Sequence, residues 1–392
     1  MPYKLPTLDP TSLSMPYSCI VQKPDPNVEY YEAYKNIGRK YTRIAQGNDA
    51  ASMIQSAINA LTNGGKIFIK RGTYTINNTL TIPTTSGLKL EIEGEEGTIL
   101  QHTAGTLNSM LDALATAYIQ GDNAQIIILR NLSFKFQTKD TNSIGLDLQY
   151  ITPSILENVS VKNINSTKQG TGIKLYPVAN PGGAVWNRVS CSNFGTNFYL
   201  EFDHLIGNFL FSQDPSNYHF QLQGNLITLI HPHAFLSAEN ATSALRFGIN
   251  GYRQGIVLIN PNVEKNANGT RVIDYYAGLG YKAYVYNLTA NSGFTDPIIG
   301  SEDLPYVKFI NCPLFVTQNG GTATFSGNGS TKTFTIAHGL ASTPSKVLVT
   351  AGSDAAKGDF YVTADATNIT VTYATAPASG TNNVVLNWYA EV

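Results

Sequence analysis

The stretch TNFYLEFDH, residues 196–204, sets two carboxylates, Glu201 and Asp203, at positions i and i+2. If the chain is extended there, side-chain alternation turns both acids to one face, ~6.5–7 Å apart at the backbone. Inverting glycosidases work at a carboxyl separation of ~6.5–9.5 Å, where one group protonates the leaving oxygen and the other activates a water. Phe198, Leu200 and Phe202 fall on the opposite, apolar face, and Tyr199 joins the acids. NYHFQLQ (217–223) repeats the pattern, with Phe220 and Leu222 inward and His219 and Gln221 outward. SIGLDLQ (143–149) adds Asp147 to that outer face, TGIKLYP (171–177) adds Lys174, and SALRFGI (243–249) adds Arg246. In this stripe Glu201 and Asp203 read as an acid–base pair, with Lys174 and His219 as neighbours that bias their proton affinities in different directions. Asp147, Lys174, Tyr199, Gln221 and Arg246 read as groups that hold a polar ligand. The same residues would also serve as a solvated face of mixed charge, and residue type alone leaves both readings open.

Other candidates are weaker. His231 and His233 in LIHPHAF have the spacing to share a strand face, but Pro232 between them signals a turn. Cys19, Cys191 and Cys312 lie too far apart for a zinc site or a disulfide framework, so no metal or other cofactor is expected. Lysine and arginine number 26 against 27 aspartates and glutamates, and only 14% of residues are charged. A nucleic-acid partner calls for a basic excess, which is missing. No apolar run reaches the ~18 residues of a membrane span. The polar fraction is instead Asn, Thr, Ser, Gly and Tyr, a mix suited to strands, tight turns and sugar-like ligands.

The elements that must position this stripe come from repeats. One series reads RNLSF (130–134), ENVSV (157–161), NRVSC (187–191), INPNV (259–263), YNLTA (286–290) and INCPL (310–314). Its apolar centres Leu132, Val159 and Val189 are 27 and 30 residues apart. A second series, the candidate stripe itself, carries Leu146, Leu175, Leu200, Leu222 and Phe247 at intervals of 29, 25, 22 and 25. Two strand series sharing one period mean one coil of chain per repeat, each coil laid on the last, which is a parallel β-helix. Upstream, NDAASMIQSAINAL places Ile54, Ile58 and Leu61 at helical spacing behind an Asn48 or Asp49 N-cap. GGKIFIKRGTYTIN then alternates with the period of a strand. A short amphipathic helix covering the exposed first coil explains that order.

This run, with Asp49, Ile54, Gln55, Ala57, Ile58, Gly64, Gly65, Ile67, Ile69, Gly72, Tyr74 and Ile76, resembles the start of the pectate-lyase-like β-helix superfamily. Lys70 stands where the superfamily usually has proline. The resemblance implies an all-β, right-handed parallel β-helix with an N-terminal capping helix, and it carries no catalytic residue. Residues 316–392 change character, with short strand-like runs separated by Gly, Ser, Asn and Pro turns, and read as a small antiparallel β-sandwich. Residues 1–45, with prolines at 2, 6, 10, 16, 24 and 26, read as an extended arm, which leaves 46–315 for the β-helix. A β-helix followed by a sandwich resembles viral tailspikes and polysaccharide depolymerases. That likeness implies an extracellular or virion-surface homotrimer that binds, and in the enzymatic case cleaves, a surface polysaccharide, without membrane insertion. A secreted lyase or glycoside hydrolase of cellular origin, and a non-enzymatic adhesin or fibre, share the same layout.

Overall fold

The computed structural model describes residues 17–25, 27–83, 88–112, 126–148, 154–176, 183–201, 204–223, 226–235, 247–250, 255–264, 273–276, 283–290, 307–313 and 315–392. The chain separates into two compact units, one of 1–283 with 290–306 and one of 284–289 with 307–392.

In the first unit, strand Ile126–Phe136 shows how a coil is built. Its first half pairs in parallel with Lys89–Gly94 and its second half with Thr98–His102. Between the halves Asn131 takes φ +54°, so one continuous strand bends onto two faces. Asn158, Arg188, Phe209, His231 and Asn260 repeat that left-handed corner with φ between +51° and +53°. The residue after each corner turns inward, and Leu132, Val159, Val189 and Leu210 stack in register with no more than 1% exposure. The NLS/NVS repeat is therefore a corner followed by a core residue. Asparagine suits it because its short polar side chain tolerates the left-handed region. It also bonds across coils: Asn158 Nδ2 donates to Asn131 Oδ1 at 2.9 Å.

Arg188 occupies the next rung, at φ +52° and exposed. Arginine bears the full Cβ penalty of that conformation, so Arg188→Asn is expected to stabilise the protein by about 1 kcal/mol. A rise in the urea midpoint at constant slope would show this, and an unchanged or lower midpoint would mean that the corner carries no strain.

The second sheet stacks Leu80–Thr81, Ser109–Asp112, Ile144–Asp147, Thr171–Leu175, Thr196–Glu201, Tyr218–Gln223, Phe247–Asn250 and Ile273–Tyr276, each parallel to the next. Its inward columns are Leu146, Ile173, Phe198 and Phe220, and beside them Leu175, Leu200 and Leu222. The sequence alignment that set Leu146 over Leu175, and Phe247 over Leu222, is thus two residues out. A slip of two preserves the face, so Leu200 still points into the core.

Alternation fails at one position of these strands. Gly145, Gly172, Asn197 and His219 are buried, and so is the residue following each of them. Glycine is required in the first two of these. A Cβ at Gly172 would sit 2.0 Å from Cys191 Sγ, and one at Gly145 would sit 2.6 Å from the Gly172 carbonyl oxygen.

At the N-terminal end, helix Ala50–Asn59 is capped by the Asp49 carboxylate, which accepts from Ser52 N at 3.1 Å. It buries Met53, Ile54, Ala57 and Ile58, and it packs against strands Cys19–Gln22, Tyr31–Ile37 and Lys40–Gly47. These strands correct the expectation of an arm over 1–45 for residues 19–45, and residues 1–16 lie outside the described residues. Cys19–Gln22 pairs in parallel with Gly65–Ile69 and antiparallel with Tyr31–Ile37, which forms a hairpin with Lys40–Gly47. All six prolines of the segment precede residue 27, so nothing in 27–47 lacks an N–H for pairing.

The second unit holds two three-stranded antiparallel sheets. Gly380–Glu391 is central in one, between Gln318–Gly327 and Lys346–Ala351. Asn368–Tyr373 is central in the other, between Thr333–Ala337 and Phe360–Ala364. Phe334, Ile336, Ile369, Val371, Val384 and Leu386 form its core. His338, buried, takes Leu340 N on Nδ1 at 3.0 Å and sets Nε2 3.1 Å from the Asp365 carbonyl, which fixes a turn.

Candidate functional site

Parallel register on the second sheet brings one outward position of five coils into a column: Asp112, Asp147, Lys174, Tyr199 and Gln221. Successive members are one strand spacing, ~4.8 Å, apart. Two residues further along each strand, Glu201 and Gln223 are also register partners, and Tyr176 follows Leu175, the partner of Leu200. The period-2 pattern turns these residues outward, and the parallel register aligns them into a column. Apolar residues on one face hold the strands in the core and hand the other face to whatever the sequence supplies.

What it supplies is a tyrosine pair around a lysine. The Tyr176 and Tyr199 rings are 6.4 Å apart and tilted by 44°. Lys174 Nζ lies 5.6 Å from the first ring centroid and 5.8 Å from the second. The Tyr199 phenol is shared between Glu201 Oε2 at 3.1 Å and Gln223 Oε1 at 3.2 Å. Burial first, and then the Glu201 charge, holds Tyr199 well above the ordinary phenol range, so it remains a donor. Below Lys174, Asp147 is only 6% exposed, and burial raises the pKa of Asp112 against an opposing hydrogen bond from Ser109.

Of the residues singled out from sequence, Asp147, Lys174, Tyr199, Glu201 and Gln221 therefore share one face. Asp203 and Arg246 lie outside the described residues. His219 is misassigned. It occupies the break in alternation, is fully buried, and places Nδ1 2.9 Å from Ser212 Oγ inside the coil. It faces away from the Glu201 side and does not tune an acid there.

His231 and His233 also part company. His231 sits at a left-handed corner and stacks on Phe209 at 4.9 Å, whereas His233 Nε2 is 3.1 Å from Glu264 Oε1. Sequence reading missed Asp112 and Gln223. Leu111-Asp112 repeats the apolar–acid pair Leu146-Asp147, but 35 residues separate them, beyond the running period.

A second pair of carboxylates with i, i+2 spacing, Glu91 and Glu93, lies on the outer face of strand Lys89–Gly94. Lys66 Nζ bridges both at 3.0 and 2.7 Å, and Arg130 links Glu91 at 3.6 Å to Glu157 at 3.3 Å. Each acid there is neutralised within an ion ladder across strands, so that spacing serves structure and neither group is placed to act as a proton donor. Among the described residues no cluster of three or more His, Cys, Asp or Glu side chains converges on a metal position, and no helix is long and apolar enough to cross a membrane.

No family model matches the chain, and no curated protein matches it. Solved structures do. ORF18 of Geobacillus virus E2 is 12% identical over 92% of this chain and 83% of its own, with a TM-score of 0.43. The tailspike protein of Acinetobacter phage vB_ApiP_P1 is 9% identical over 92% of both chains, at 0.39. A tailspike of Acinetobacter baumannii bacteriophage Fri1, described as a capsular polysaccharide depolymerase, is 9% identical over 87% of this chain and 82% of its own, at 0.33. At these values chemistry is not carried from one chain to another, and the site rests on its own geometry.

Proposed function

We propose that the protein is an extracellular or virion-surface β-helix protein that binds a surface polysaccharide along the outer face of its second sheet and cleaves it there. The observation that carries this reading is the column itself. Two tyrosine rings 6.4 Å apart, with a lysine, a glutamate and two glutamine side chains around them, combine apolar ring faces with closely set hydrogen-bonding groups. Sugars bind by that combination, with ring faces against aromatics and hydroxyls against amides and charges. A column repeated at one strand spacing also suits an extended polymer rather than a compact ligand.

For cleavage, Glu201 is the candidate base. A phenol donates to its carboxylate, which keeps it an acceptor able to take a proton from water. Asp203, two residues on, is the proposed acid. Glu201→Gln is expected to reduce turnover ~10²–10⁴-fold, the usual cost of losing a general base. Oligosaccharide binding and the melting temperature should stay near those of the parent, since glutamine keeps the size and hydrogen-bonding capacity of the side chain and the other contacts along the face are untouched. Reducing-end release from a glycan panel measures turnover, and ultraviolet absorbance read in parallel separates a lyase from a hydrolase. Full turnover in the variant would move catalysis elsewhere. Binding without turnover in the parent would leave a receptor-binding protein or adhesin.

A further inference from the structure

The tyrosine face carries a cation with no counter-ion among the described residues. Glu201 Oε2 and the Gln223 side-chain oxygen accept the Tyr199 phenol, and Asp147 is nearly covered. Donors stand beside them. Among the described residues Lys174 makes no ion pair, and its ammonium meets only the faces of Tyr176 and Tyr199. The Tyr176 hydroxyl and the Gln221 amide likewise have no hydrogen-bond partner among the described residues. Lys66, equally part of an outer sheet face, shows the contrast, held at 3.0 and 2.7 Å by two glutamates. Lys174 is half-buried beside two ring faces, which offer it no acceptor oxygen. A carboxylate placed on it gains charge-assisted hydrogen bonds.

We propose that this face recognises an acidic polysaccharide, with the carboxylate of a uronic-acid-type sugar on Lys174, its ring against the tyrosines and its neighbouring oxygens on Tyr176 and Gln221. The inference rests on the glycan-binding reading above. Lys174 is the one cation in the column of Asp112, Asp147, Lys174, Tyr199 and Gln221, so the acid is read at one place along the polymer.

The test probes the intact chain with an array of bacterial surface-polysaccharide fragments, acidic and neutral, and then titrates each hit by calorimetry before and after reduction of its carboxyl groups to alcohols. The expected hits carry carboxylates. Reduction should weaken them about tenfold or more, and Lys174→Met should abolish that difference while Lys174→Arg keeps it. Neutral hits, or hits indifferent both to reduction and to Lys174→Met, overturn acid recognition and leave the glycan-binding reading standing. An array with no hits overturns that reading and this inference with it.

Discussion

Leu200→Asp is expected to leave the protein without a cooperative folded state. Leu200 is fully buried and stacks in register on Leu175 below and Leu222 above. An aspartate there would place a carboxylate with no partner between two leucine layers, a cost of several kcal/mol even after the group protonates. In a solenoid the damage is shared by the coils on both sides, because each coil's stability is largely its interface with its neighbours. Total stabilities of folded proteins are commonly about 5–15 kcal/mol, so one such site consumes most of the margin. Val189→Asp, between Val159 and Leu210 in the other ladder, should behave alike. Gln221→Asp is the control, one residue from an inward position but on the outer face, and should melt close to the parent. Circular dichroism melts decide the matter. If Leu200→Asp melts with the parent, the inward assignment of the second sheet is wrong, and the column built on its opposite face falls with it.

Much of this architecture was legible because the β-helix writes the same constraint once per coil. Leu132, Val159 and Val189 could be aligned from spacing alone, and the helix from Ala50 announced itself by Asp49 and the buried Ile54–Ile58 pair. What spacing could not show were the departures from strict alternation. A period-2 reading is blind to a slip of two, which is why Leu146 was matched to Leu175 rather than Ile173. It is equally blind to a position where two successive residues turn inward, which is why His219 was read as outward. Glycine at 145 and 172 was the available signal, since a strand has little reason to carry glycine at the same place in two coils unless a side chain cannot fit. The site was legible as a face and not as a network. Lys174, Tyr199 and Glu201 follow from alternation, but the sharing of the Tyr199 phenol with Gln223 depends on which residue of the next coil lies alongside. Residues 19–45 differ from the expected arm for another reason. A reading by proline count covers the whole segment, although the prolines stop at 26 and the pairing strands run on to 47.

His219 should make the fold sensitive to acid. The ring is fully buried, and Nε2 has no hydrogen-bond partner among the described residues while Nδ1 faces Ser212 Oγ. Ser212 Oγ in turn accepts from Asn197 Nδ2 at 2.8 Å, so the imidazole belongs to a small polar cluster inside the coil. Desolvation pushes its pKa from 6.5 down to about 3, against upward contributions from the Ser212 hydrogen bond and the Asp214 charge, with His233 adding slightly to the depression. Because the folded value lies below the unfolded one, the unfolded chain binds the extra proton between them. Stability attributable to this residue is therefore complete above about pH 6.5 and is lost progressively as the pH falls toward about 3. A difference of that size corresponds to a loss on the order of several kcal/mol at the acid end. His219→Gln keeps a polar group near Ser212 and removes the titration. Its urea midpoint should lie below that of the parent at pH 7.5, where the neutral histidine is better packed, and the gap should narrow or reverse by pH 4.5. Carboxylates elsewhere contribute to acid unfolding in both proteins and cancel in the comparison. A gap that stays constant across this range would mean that His219 holds its proton equally in the folded and unfolded chains, and the buried placement of the ring would be wrong.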